Sequence, residues 1–183
     1  RSEVIGRTVE GKVMRLLIIS APENLARLDE IRDNLARLAD PRRTTAAEAR
    51  ALAERTPVTV VLTHSVHGNE PAGFEASMQT AYQLLASDEP ATLEILRNVV
   101  VLINPSQNPD GHERFAAWSN SVATGTDDPA AVEQTEPWAI WGRFNHYRFD
   151  MNRDLLAQSQ AESKALAAVY VRWRPQVVAD LHS

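Results

Sequence analysis

Hydrophobic positions follow two periods along this chain, and the changes from one to the other mark its elements. Val13 to Ser20, Pro57 to Thr63, Asn98 to Ile103 and Gln176 to His182 are short apolar runs of the kind strands make. The run Asn98-Val99-Val100-Val101-Leu102-Ile103 is continuous rather than alternating, which predicts a strand buried on both faces of a parallel sheet. Between these runs the spacing changes to three and four. Leu25, Leu28, Ile31, Leu35 and Leu38 draw one apolar stripe down a helix that starts near Pro22, capped at Ser20 or Ala21, and ends near Asp40-Pro41. Ala46 to Glu54 reads as a short helix, and Gly73 to Ala86 as a longer one with Phe74, Met78, Ala81, Tyr82 and Leu85 inward. Leu93 to Arg97 is a helix or turn, and Gln158 to Trp173 is a helix with Ala165, Leu166, Val169 and Tyr170 on its apolar side. The repeated Asn-Leu-Ala-Arg-Leu at 24–28 and 34–38 is too short a period for a solenoid and is helical composition. Strands that alternate with helices predict an α/β fold with a mainly parallel sheet.

One stretch resists this reading. From Arg114 to about Tyr147 no period emerges, and polar and turn-forming residues surround Trp118, Trp138, Trp141 and Phe144. Loops this long in compact domains serve function or lack order, and the aromatic residues favour function or packing. Each Trp is expected to anchor the loop to the core, the sharper alternative being the wall of a substrate cleft.

Composition sets outer limits. With 183 residues, 44% of them hydrophobic, the chain is the size of one globular domain, 1–183. A net charge of −5 with no basic run argues against nucleic acid as a partner, and no apolar stretch is long enough to span a bilayer. The absence of cysteine excludes a disulfide framework, a thiolate nucleophile and a cysteine-type zinc site. Any zinc must therefore use imidazole and carboxylate ligands. The first residue is Arg1, with no charged-then-apolar leader after it, which fits either a trimmed polypeptide or a mature protein whose signal peptide is gone.

The stretch richest in chemistry is Thr63-His64-Ser65-Val66-His67-Gly68-Asn69-Glu70-Pro71-Ala72-Gly73, directly after an apolar run. His67 and Glu70 are both zinc-ligand types, and a catalytic zinc takes three protein ligands with a fourth position left for water. His182, at the C-terminal end of another strand-like run, is the candidate third ligand, since open α/β sheets carry their sites at such ends. The bland alternative is a buried His67 bonded to backbone with Glu70 on the surface. His64 is expected to serve packing or to support a ligand. Downstream, Asn152-Arg153 pairs an amide with a guanidinium fork that fits a carboxylate bidentately, although Arg153 beside Asp150 and Asp154 could equally form an ordinary ion pair. Asn108-Pro109-Asp110-Gly111 is a turn by composition.

Taken in order, the stretches around His67-x-x-Glu70, Asn108-Pro109-Asp110-Gly111, Asp150-Met151-Asn152-Arg153-Asp154 and Asp180-Leu181-His182 resemble the zinc metallocarboxypeptidases of the carboxypeptidase A type. The resemblance covers most of the chain, and the opening Ile5-Gly6-Arg7-Thr8-Val9-Glu10-Gly11-Lys12 adds a less specific match. It implies a three-layer α/β/α fold with a mainly parallel, mixed central sheet, of phosphorylase/hydrolase-like zinc-peptidase architecture. It also implies one zinc ion per chain on His67, Glu70 and His182, and a peptide C-terminus as substrate, gripped by Asn152 and Arg153. Asp150 matches the carboxylate that orients the first zinc histidine, and Asp180 is a second residue for such a role. For the arginine that stabilises the oxyanion, Arg143 is the choice and Arg148 the alternative, the spacing here departing from the family's. The Asn108–Gly111 turn shapes the cleft rather than reacting.

In that family the general-base glutamate and a closing tyrosine come well after the third ligand, and neither Glu75 nor Asp180 replaces that base convincingly. The resemblance thus implies the N-terminal and central part of a catalytic domain, with the C-terminal part absent, inactive alone and open to self-association through an exposed sheet edge. A secreted or extracytoplasmic place is favoured. Two other functions stay open. One is a zinc deacylase of N-acyl amino acids, of the aspartoacylase and succinylglutamate desuccinylase type, against which the Asn108–Gly111 turn weighs. The other is a non-catalytic module that binds zinc or a peptide terminus.

Overall fold

The computed structural model describes residues 1–126, 128 and 130–183. Its sheet has five strands in the order β1-β2-β4-β3-β5. β1 (Ser2–Arg7) and β2 (Val13–Ile19) form an antiparallel hairpin that turns through Gly11 at φ 83. β2 also runs antiparallel to β4 (Val99–Asn104), whereas β3 (Val58–His64) lies parallel to both β4 and β5 (Val177–Leu181). The sheet is therefore mixed, with its parallel part formed by β4, β3 and β5.

The continuous apolar run in β4 is explained by two cores, one on each face. Because successive side chains of a strand alternate, Val100 and Leu102 join Leu16, Ile18 and Val61 beneath the helices that carry Ile31, Leu35, Val169 and Trp173. Val101 and Ile103 point the other way, into a smaller cluster with Ile19 and Ala81, flanked by Leu84 and Leu96. Helices α1 (Pro22–Ala26), α2 (Leu28–Leu38) and α7 (Ala161–Trp173) thus cover one face, and α4 (Pro71–Ala86) and α5 (Pro90–Asn98) the other. α3 (Ala46–Arg55) packs on α2 and starts with a capping box between Thr45 and Glu48. The result is three layers. No helix among the described residues is long and apolar enough to cross a membrane.

Three elements differ from their sequence patterns. The helix expected to run on from Pro22 breaks at Arg27, where buried Asn24 bonds Ser20 Oγ (3.0 Å) and Arg97 O (2.9 Å) and pins the first turn to the end of α5. In α4, Met78, Tyr82 and Leu85 were expected inward, but they are 59%, 73% and 69% exposed, and Gly73, Ser77 and Ala81 are the buried residues. The small residues decide this orientation. A Cβ on Gly73 would sit 2.3 Å from Ser65 Oγ, so the helix comes down onto its own entry loop along the face without bulk, and the large side chains rotate outward. The third difference is α6 (Pro109–Val122), which takes in the first part of the stretch expected to be aperiodic. Asn108-Pro109-Asp110-Gly111 is the start of that helix: Asn108 Oδ1 accepts from the Gly111 N–H (3.0 Å) and Pro109 occupies the first turn. α6 buries only Asp110 and Gly111, so it has no apolar stripe for a periodicity to show.

Candidate metal centre

β3 and β5 are parallel neighbours with His64 in register with Leu181, so both strands leave the sheet at the same end. After β3 the chain turns sharply at Ser65, in the left-handed region at φ 51. The Ser65 N–H donates to Leu181 O (3.1 Å) and its Oγ to Glu70 O (2.8 Å), which closes 65–70 into a tight loop before Pro71 opens α4. His67 is held inside that loop, 3% exposed, and Glu70 stands at its end. His182 directly follows β5. His67, Glu70 and His182 each present a ligand-type atom within 4.8 Å of the others.

The two imidazoles are oriented alike. His67 Nε2 lies 3.2 Å from Asp150 Oδ1, and its Nδ1 faces Glu70 Oε1 at 2.7 Å. His182 Nε2 lies 3.1 Å from Asp180 Oδ2, and its Nδ1 faces Glu70 Oε2 at 3.3 Å. Each ring thus has a carboxylate behind Nε2 and turns Nδ1 toward a common centre, the arrangement that fixes a metal-binding tautomer. Arg143 points to the same protonation state: its Nη1 approaches His67 Nδ1 at 3.3 Å, and a guanidinium has only protons to give. Nδ1 is then the ring's acceptor. Two imidazole nitrogens turned onto one carboxylate are a donor set that zinc takes.

Asp150 joins two of these parts. Its Oδ2 accepts from Arg143 Nε (3.2 Å) and Nη2 (2.9 Å), while its Oδ1 serves His67 and the Asn152 N–H (3.0 Å). Burial would raise the Asp150 carboxyl, but hydrogen bonds and charge from Arg143, helped by His67 and the Asn152 N–H, outweigh it and hold the pKa below the usual value. Asp180 is fastened through Oδ1, which accepts from Thr63 Oγ1 at 2.9 Å. His64 is fully buried, and burial lowers its pKa. Glu75 lies exposed on α4.

Of the two arginines weighed for the carbonyl, only Arg143 reaches the cluster. Arg148, at φ 64, turns its guanidinium back to donate to Ala139 O (2.7 Å) and Ile140 O. Asn152 and Arg153 form the short 3₁₀ turn Met151–Arg153 that Asp150 caps. The ordinary ion pair for Arg153 is not what forms. Asp150 is taken by Arg143, Asp154 accepts from the Ser159 and Gln160 N–H groups (2.9 Å each), and the exposed Arg153 has no acidic partner among the described residues.

Sequence patterns gave no sign of the residues that pack these segments together. A Cβ on Gly68 would lie 2.2 Å from His112 N and 2.5 Å from Gly142 O, and one on Gly111 would lie 2.3 Å from Gly142 O. Gly68, Gly111 and Gly142 thus let the ligand loop, the start of α6 and the Arg143 segment meet backbone to backbone. Glu136, which accepts from Asn69 Nδ2 (2.9 Å), and His112, whose Nδ1 lies 3.1 Å from Gly68 O, also belong to this junction. Only the glycines inside polar motifs offered a signal, and nothing in their spacing pairs them.

The model of the family described as zinc carboxypeptidase matches residues 1–183. This chain belongs to the zinc carboxypeptidase family. Carboxypeptidase 2 of Trichophyton tonsurans is 27% identical over 123 residues, covering 67% of this chain and 18% of that relative. A metallo-carboxypeptidase from Burkholderia cenocepacia shares the fold with a TM-score of 0.60 at 19% identity, over 100% of this chain and 36% of that one. The carboxypeptidase A of Helicoverpa armigera gives 0.56 at 15% identity, over 100% and 40%. The chain therefore spans 18% of the length of the curated relative and 36–40% of the solved structures. The family is zinc-dependent, and the His67, Glu70 and His182 cluster offers a donor set for that metal.

Proposed function

We propose that this chain carries the zinc site of a metallocarboxypeptidase, with residues 1–183 as one unit of its catalytic domain, and that His67, Glu70 and His182 bind one zinc ion. The observation that carries this reading is the pair of carboxylate-backed imidazoles turned onto Glu70. Zinc, when bound, supplies a Lewis acid and lowers the pKa of a coordinated water toward neutrality. Asp150 and Asp180 hold the two rings in place. Asn152 and Arg153 receive the terminal carboxylate of a peptide: Arg153 is an exposed fork with no acidic partner among the described residues, and a guanidinium fits a carboxylate with two parallel bonds. The approach of Arg143 Nη1 to His67 Nδ1 at 3.3 Å supports a role for Arg143 in stabilising charge that develops on the scissile carbonyl oxygen.

The three carboxylates of the cluster are all engaged, which supports a reading in which none of them serves as general base. Asp150 is engaged by His67 and Arg143, Asp180 by His182 and Thr63, and Glu70 faces both imidazoles. A positioned base contributes roughly a hundred- to ten-thousand-fold, so the 183-residue polypeptide is expected to bind zinc and peptide termini with little turnover. Val177, Val178 and Leu181 are 49%, 49% and 38% exposed on the edge strand β5, which favours self-association of this polypeptide.

The test loads the chain with zinc, measures binding of one peptide with a free and with an amidated C-terminus, and assays release of C-terminal residues and hydrolysis of N-acyl amino acids, with light scattering alongside. Expected are one zinc per chain, preference for the free terminus and weak turnover. Arg153→Lys should leave zinc content unchanged and weaken the free-terminus peptide about tenfold, since an ammonium cannot reproduce the fork. Equal binding of the amidated peptide would remove Asn152 and Arg153 from the reading. Faster turnover of N-acyl amino acids than of peptides would replace the peptidase with a deacylase.

A further inference from the structure

The segment that carries Arg143 is held from both sides by residues outside the chemistry proposed above. On one side Glu136 accepts from the Gly142 N–H through Oε1 and from Asn69 Nδ2 through Oε2 at 2.9 Å. On the other, Asn108 Nδ2 donates to Arg143 O at 3.0 Å. The N–H of the residue before Arg143 and the carbonyl of Arg143 itself are therefore each held by a side chain from elsewhere. Asn69 lies between His67 and Glu70, so the Glu136 carboxylate bonds the ligand loop with one oxygen and the Arg143 segment with the other. Gly142 has no room to slide, since a Cβ there would meet Phe115 Cβ at 2.5 Å and its own carbonyl oxygen is wedged against Gly68 and Gly111.

We infer that Glu136 is a positioning residue, which clamps Gly142 to Asn69 and so sets the Arg143 guanidinium on Asp150 and beside His67. The physical reason is leverage. An arginine side chain has many rotamers, and it keeps one direction only if its backbone origin is fixed as well as its far end. Asp150 fixes the far end with two hydrogen bonds, while Glu136 and Asn108 fix the origin. An anionic acceptor gives a stronger bond to a backbone N–H than a neutral one, and its second oxygen remains free for the Asn69 amide. The role of Arg143 toward a substrate carbonyl rests on the proposed carboxypeptidase reading, whereas its placement by Glu136 does not.

The experiment follows the Arg143 Nε–H in the zinc-loaded chain by NMR, with the resonance assigned by its disappearance in Arg143→Lys. In the unaltered chain this proton, donated to Asp150, should exchange slowly with solvent. Glu136→Ala should speed its exchange at least about tenfold, a local opening rather than global unfolding, with the melting transition still cooperative. Glu136→Gln should restore slow exchange, because its amide oxygen still accepts from Gly142 while the Asn69 amide turns round to meet its NH₂ group. Exchange unchanged in Glu136→Ala would overturn the inference, as would a Gln variant as loose as the Ala variant. If Glu136→Ala fails to fold, the Gly142 amide of the unaltered chain decides: protection supports the clamp, and exchange at the rate of a free peptide overturns it. None of these readings involves turnover, so a failed carboxypeptidase assay and a failed clamp are told apart.

Discussion

The two halves of the proposed zinc site are built differently. His67 is 3% exposed and is held by Asp150, which comes from 83 residues away and is itself gripped by Arg143. The His182 side chain is 35% exposed, follows an edge strand, and leans on Asp180 of that same strand, 37% exposed. One half is a network of three segments in a partly dry setting, and the other is a local pair in contact with solvent. Hydrogen bonds to charged groups are stronger where water is excluded, so the same carboxylate–imidazole contact should matter more at His67 than at His182.

Mutations should expose this difference. The largest effect is expected from the ligands themselves: His67→Ala should lose zinc on dialysis, and His182→Ala should do so as well, checked by metal analysis. If both variants keep full metal content, the site lies elsewhere. Next comes the support behind His67, where Asp150→Ala should weaken zinc by roughly ten- to a hundred-fold without removing a ligand, as measured by chelator competition. Equal zinc affinity in Asp150→Ala and the parent would reduce Asp150 to a structural residue. The matching change on the open side, Asp180→Ala, should cost less, under about tenfold, because solvent already screens that pair. A larger loss at Asp180 than at Asp150 would reverse the comparison.

A fourth expectation concerns stability on the built side. Asp154 follows the 3₁₀ turn that carries Asn152 and Arg153, and it accepts from Ser159 Oγ and the Ser159 and Gln160 N–H groups. Burial opposes its ionisation, but these bonds, with Ser163, bring its pKa down to about 2. Because the folded-state pKa lies below the unfolded value, the stabilisation is complete above about pH 4 and is lost as the pH falls through about 2. The depression corresponds to about 2 kcal/mol, so Asp154→Ala should lower the unfolding free energy by about that much at pH 7. Urea melts at pH 7 and near pH 2.5 check this, since the gap between variant and parent should narrow in acid. A gap independent of pH would point to packing instead.

Much of this arrangement was legible in the sequence. The apolar runs placed β2, β3, β4 and β5, because a buried strand must be apolar wherever it lies in the chain. The candidate ligands His67, Glu70 and His182, which the structure brings within 4.8 Å of one another, could be picked out because few residue types bind zinc and they stood at strand ends. α6 was not, because a helix that buries only Asp110 and Gly111 has no stripe to read, and its cap and proline look like a turn. The orientation of α4 was misread for a related reason: hydrophobicity marked Met78, Tyr82 and Leu85, while steric fit at Gly73 chose the opposite face.

The sequence by itself determined the strands, most of the helices and the residue types that could hold a metal, since these depend on local period and on side-chain chemistry. The family resemblance pointed to Asp150 and Arg143, but tertiary structure alone set how they stand to His67, turned Arg148 back onto its own loop, and left Arg153 without an acidic partner among the described residues. These choices turn on differences of an ångström between atoms far apart in the chain. They were fixed by the parallel register of β3 with β5 and by three glycines that let backbone approach backbone, neither of which a one-dimensional pattern encodes.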